Sequence, residues 1–212
     1  IQNVIQIEPD DAVRAYINVR RLDDREYVTS NYIIMCTKAG IVKKTLLEAY
    51  SRPRQNGVNA ITIKEGDQLI EAKLTSGDSE VLLAAKEGKA IRFNEKAVRP
   101  IGRTGAGVKG ITIDGDDEVV GMICVEKNRK EDILVVSEHG YGKRTDLDDY
   151  RITNRGGKGV KTLQITEKTG KLIAIKAVTD ENDLMIINRS GLTIRIPVGD
   201  IRLAGRATQG VK

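Results

Sequence analysis

The residues best placed to do chemistry in this sequence are cations. Four residues after Gly40, Gly88, Gly140 and Gly191 stand Lys44, Arg92, Arg144 and Arg195. Eleven residues after the last three of those glycines stand Arg99, Arg151 and Arg202. A second glycine series, Gly57, Gly107, Gly159 and Gly210, is followed each time by valine. Arg103, Arg155 and Arg206 lie four residues before its last three members, and Lys109, Lys161 and Lys212 lie two residues after them. The first copy is shorter and offers Arg52 and Arg54, with Asn59 in the lysine position. A guanidinium donates paired, planar hydrogen bonds that match phosphate, so a repeated arginine column is chemistry for a polyanion. Ordinary solvation explains single lysines, but not one sign recurring at fixed offsets in four copies.

The charge is segregated accordingly. The 212-residue chain has a net charge of only +5. Residues 38–59, 86–110, 140–162 and 189–212 nevertheless hold 23 basic and 7 acidic side chains, against 12 basic and 23 acidic elsewhere. One part of every copy is strongly positive. The expected result is a curved basic belt, suited to a polyanion that can bend around it.

The elements that must carry this belt are strands. Both glycine series repeat at steps of 48 to 52 residues. Each unit opens with an apolar run (from Ile33, Val81, Ile133 and Leu184), turns at the first glycine and continues as a second strand. Glycine at those turns suits positive φ. A third strand is expected after each Gly-Val pair, at residues 60–63 and 110–113, and a fourth from Leu69 and Val119. Four strands in about 50 residues is the spacing of a propeller blade. The reading is all-β, with one domain over residues 1–212 and repeats at 1–32 (partial), 33–80, 81–132, 133–183 and 184–212 (partial). Residues 1–19 read as the latter half of a unit, and the chain reads as a piece of a longer protein. Strand alternation directs the +4 column (Lys44, Arg92, Arg144, Arg195) away from the core. Tyr50, Val98, Tyr150 and Ile201 share one repeat position and read as core.

Several chemistries are poorly supplied. Cys36 and Cys124 sit in apolar runs without a CxxC spacing and read as buried, reduced thiols, and His139 is the single histidine. Metal sites and His-based catalysis are therefore poorly supplied. No apolar run of membrane-spanning length and no signal peptide is present, which reads as cytoplasmic with no membrane partner. Base stacking on aromatics, the usual device of single-strand binders, is undersupplied by six Tyr, one Phe and no Trp. Double-stranded DNA, held by phosphate contact and shape, fits better. A protein-interaction propeller with a basic rim is the reading from another class.

The segment Thr153-Asn154-Arg155-Gly156-Gly157-Lys158-Gly159 is the most distinctive. Glycines around a basic pair let the backbone approach phosphate. It lacks the P-loop spacing. Arg155 to Gly159 resembles the last five positions of the GyrA box, a Gln-Arg-Arg-Gly-Gly-Lys-Gly motif of the DNA gyrase A C-terminal domain family; Thr153 and Asn154 occupy the two box positions before them. The runs beginning at Gly102 and Gly205 look like degenerate copies, and the repeats resemble that family's blades along the whole chain. The resemblance implies a β-pinwheel whose blades exchange strands. It also implies a non-catalytic domain that wraps duplex DNA for ATP-dependent negative supercoiling. The expected partners are DNA, the rest of the gyrase A protein and the gyrase B protein, in a heterotetramer holding two copies of each. No cofactor is expected in the domain itself, with ATP and Mg used elsewhere in the enzyme. The DNA contacts implied are Arg155 and Lys158, with Gly156, Gly157 and Gly159 shaping the loop and the basic columns, Lys161 among them, supporting. The homologous domain of topoisomerase IV is the alternative within the resemblance.

Overall fold

The computed structural model describes residue 7 and residues 10–212. The reading of residues 1–19 as half a unit falls largely outside these; the described residues 10–19 carry no strand. One short helix, α1 (Arg25–Ser30), is the exception to the all-β reading. Asp24 caps it through its side chain, accepting from the Tyr27 amide at 3.1 Å. No helix among the described residues is long and apolar enough to cross a membrane.

Each apolar run folds back through its glycine turn as an antiparallel hairpin. The first unit holds β1 (Tyr32–Thr37), β2 (Ile41–Leu46) and β3 (Leu69–Thr75). The second holds β4 (Glu80–Ala85), β5 (Lys89–Asn94), β6 (Val108–Lys109) and β7 (Val119–Val125). The third holds β8 (Asp132–Ser137), β9 (Gly142–Asp146), β10 (Val160–Lys161) and β11 (Leu172–Val178), and the fourth holds β12 (Asp183–Ile187) and β13 (Thr193–Pro197). The turn glycines Gly40, Gly88, Gly140 and Gly191 have φ of 79°, 81°, 78° and 85°. A β-bulge breaks the register at the same place in three units, at Cys36/Thr37, Ala84/Ala85 and Leu172/Ala174.

The sheets are not sequence units. The first has the order β3-β1-β2-β6 and the second β10-β5-β4-β7, so each takes one edge strand, β6 or β10, from the following repeat. β6 pairs with β2 (Ile41↔Lys109, Val42↔Val108), and β10 pairs with β5 (Val160↔Ala90, Lys161↔Lys89). Val211 makes the same crossing as a single bridge to Gly142. The third strand is thus displaced from its expected place. It is two residues long, begins at the valine of Gly-Val, and leaves residues 60–63 and 110–113 without strand structure.

Successive sheets stack face to face. Ile34, Cys36 and Val42 of the first meet Val81, Leu83, Ile91 and Phe93 of the second. Leu82, Ala84 and Ala90, on the other face of the second, meet Ile133 and Val135 of the third with Tyr150. Gly121 has no room for a side chain, since a Cβ there would come within 2.7 Å of Ile175. Both faces of an inner sheet are therefore covered, and β4 is buried at all six positions.

Candidate nucleic-acid interface

The covered faces decide the fate of the first basic column. Alternation assigns a residue to one neighbouring sheet or the other, and neither side is solvent. Lys44, Arg92 and Arg144 are only 3%, 8% and 6% exposed, so their expected outward orientation is corrected. Arg92 donates through Nε to Glu80 at 2.6 Å and through Nη1 to the Leu147 and Tyr150 carbonyls at 2.7 and 2.8 Å. Lys44 donates to the Glu95 carbonyl at 3.0 Å and lies 5.0 Å above the Tyr32 ring. Arg144 pairs with Asp132 at 3.4 Å and with Asp180. Arg195, on the last sheet, is exposed and pairs with Asp183. Lys44 and Arg92 thus tie one repeat to the next, and carboxylates balance all four members of the column.

A sequence signal for this existed. Glu80, Asp132 and Asp183 stand eight residues before the turn glycines, each facing the basic residue four after. The first unit has Tyr32 there, and Glu95 of the next unit supplies the charge at 3.9 Å from Lys44.

The other columns lie along the sheet edges built by the donated strands. After each second strand the chain makes a 3₁₀ turn (Leu47–Tyr50, Glu95–Ala97, Leu147–Asp149 or Val198–Asp200). It then crosses to the preceding sheet, where the amides of Ile101, Thr153 and Ala204 donate to the carbonyls of Lys44, Arg92 and Arg144 at 2.8 to 2.9 Å. Arg99, Arg151 and Arg202 sit at that crossing and are exposed, as are Arg52, Arg54, Lys109 and Lys161. None of these seven forms an ion pair among the described residues. Arg103, Arg155 and Arg206 are half-buried. Two of them act as staples. Arg155 donates to the carbonyls of Ala97 at 2.9 Å and Lys109 at 3.0 Å. Arg206 donates to those of Asp149 at 3.1 Å and Lys161. Loop is fastened to loop along one edge.

Glycine shapes these loops for a steric reason. At Gly107 (φ 95°) a Cβ would stand 2.6 Å from the Val42 carbonyl oxygen. Gly159 and Gly210 approach the Ala90 and Gly142 carbonyls still more closely. Residues 153–159 differ from the other two loops. Gly156 has φ of 83°, where Thr104 and Ala207 occupy the same position without positive φ. Its amide donates to the Gly110 carbonyl at 2.6 Å. Gly157 lies over Ile91, and the exposed Lys158 ammonium is 3.5 Å from Asp114.

A stack of sheets exchanging edge strands, with unpaired arginines along the exchanged edge among the described residues, defines a propeller-like all-β class. The comparison with known families makes it specific. Residues 31–76, 79–126, 131–179 and 182–212 match the family described as DNA gyrase C-terminal domain, beta-propeller, and the chain belongs to it. It is 45% identical over all 212 residues to the DNA gyrase A protein of Staphylococcus aureus (strain NCTC 8325 / PS 47), and spans 23% of that protein's length. A crystal structure of the C-terminal domain of DNA topoisomerase IV superposes with TM-score 0.88 at 27% identity, covering 99% of this chain and 64% of that one. A DNA gyrase A C-terminal domain superposes with TM-score 0.86 at 22% identity, covering 99% and 68%.

Proposed function

We propose that this chain binds double-stranded DNA along the donated-strand edge and bends it, as the non-catalytic C-terminal domain of a gyrase A protein. The observation that carries this is the unpaired, exposed arginine at the same crossing in three successive repeats (Arg99, Arg151, Arg202). Such a row displaces the counterions condensed on the phosphates, which drives binding without reading sequence. Bending a 20–30 bp site by 40–90° costs roughly 1–6 kcal/mol, within reach of several phosphate contacts per repeat. Arg155 holds its loop while exposing part of its guanidinium, and Lys158 presents a second charge at the same loop. In the whole enzyme the bent duplex would be presented to the strand-passage gate formed by the rest of the gyrase A protein with the gyrase B protein, with ATP and Mg used there. The 45% identity to a gyrase A protein favours this over the topoisomerase IV role.

A salt titration of affinity for linear duplex tests the reading. The logarithmic slope is expected near −5 or steeper, from about −0.9 per phosphate contact. Arg99→Gln, Arg151→Gln and Arg202→Gln together should flatten it by about 3. Absence of duplex binding at low salt would overturn the reading.

A further inference from the structure

Two buried lysines lie beneath the basic loops, outside every column described above. Lys43 and Lys143, three residues after their turn glycines, are each only 1% exposed. The Lys43 ammonium donates to the carbonyls of Ala60, at 2.5 Å, and Arg103. That of Lys143 donates to the carbonyls of Gly205 at 2.8 Å, Thr208 at 3.0 Å and Arg206. Neither forms an ion pair among the described residues. The carbonyls of Arg103 and of residues 205–208 belong to the loops that carry Arg103 and Arg206. In the second and fourth units the same position holds Ile91 and Ile194, and Ile91 packs under Gly157. An aliphatic side chain thus suffices to fill the space. What lysine adds is a charge, directly under a loop that faces solvent.

We propose that Lys43 and Lys143 are positioning residues, whose ammonium groups hold the second and fourth Gly-Val loops in the form that receives DNA and bind protons more tightly once phosphate arrives. The inference rests on the duplex-binding reading above. Burial, then the nearby Arg103 or Arg206 guanidinium, lowers the ordinary lysine value to about 8 at both sites. The other titratable groups facing them are Tyr50, which donates to the same Ala60 carbonyl, and for Lys143 the opposing Asp149 with Tyr150 nearby. An incoming phosphate favours the protonated form by direct attraction. Near pH 8 part of the free chain has given up these protons, so binding must draw protons from solution.

Calorimetry of duplex binding at pH about 8, in two buffers of different ionisation enthalpy, measures that uptake. The wild-type chain should take up a fraction of a proton. Lys43→Met with Lys143→Met should abolish the uptake and weaken binding about tenfold at pH 7. Lys43→Arg with Lys143→Arg keeps the charge without a proton to exchange near pH 8, so it should keep affinity and lose the uptake. Wild-type binding with no uptake, or uptake unchanged in both variants, would overturn the inference and leave the DNA reading standing. Failure of the wild-type chain to bind would overturn both. Should the methionine variant fail to fold, as circular dichroism would show, the arginine variant still decides.

Discussion

At the scale of single residues, arginine does two different jobs in this fold. Arg92 is enclosed with Glu80 and two carbonyls, whereas Arg99, seven residues on, is free in solvent. Arg92→Met strands the Glu80 carboxylate in a site with little water, at an expected cost of about 3–5 kcal/mol read by denaturant unfolding. On the fraction that remains folded, the salt slope of DNA binding should be unchanged. The thiols also belong to this scale. Burial raises Cys36 and Cys124 far above their ordinary value of 9.0. The unfolded thiols therefore ionise first, and stability is lost as pH rises past about 9. Each thiol should contribute about 1 kcal/mol of loss between pH 8 and pH 10. Lys43 and Lys143, whose values are lowered, push the other way in that interval, so the comparison is with Cys36→Val and Cys124→Val. The double variant should lose less stability than wild type over that range. An identical loss in the two proteins would mean the thiols are not protected.

At the scale of elements, the glycines distinguish strain from contact. Gly159 and Gly191 both have positive φ, 72° and 85°. A Cβ at Gly191 meets nothing, while one at Gly159 collides with the Ala90 backbone carbonyl. Gly191→Ala is thus expected to cost about 1 kcal/mol, the backbone term alone. Gly159→Ala should cost more and should open the β10–β5 pairing, visible as faster hydrogen exchange at Val160. Equal costs would contradict a close crossing. The hairpins and glycine turns were legible because apolar runs and positive-φ turns are written locally. That neighbouring blades exchange strands was legible through the family resemblance, but which residues cross was not. Their length and partner depend on a neighbouring sheet, so residues 110–113 were read as a strand that the structure places at Val108–Lys109. The orientation of Lys44, Arg92 and Arg144 is hidden for the same reason, since alternation implies solvent on one face and the stack covers both. Lys43 and Lys143 form no column in the sequence, because Ile91 and Ile194 alternate with them at that position.

At the scale of the whole molecule, charge and curvature must act together. The staples from Arg155 to Lys109 and from Arg206 to Lys161 chain the basic loops along one edge, so the row of cations keeps the spacing that the stacked sheets impose. Loss of Arg155 should therefore disturb the path of DNA more than the strength with which it is held. Arg155→Ala with Lys158→Ala is expected to reduce affinity by less than about tenfold, two phosphate contacts at most, while removing most of the bend.

Ligation of DNA circles on the bound chain reads that path directly, as the shift in linking number that remains after the protein is removed. A shift that grows with the amount of bound wild-type chain, and that largely disappears in the Arg155→Ala Lys158→Ala variant at equal occupancy, is expected. Circles of unchanged linking number at saturating wild-type occupancy would mean that the basic edge holds DNA without wrapping it.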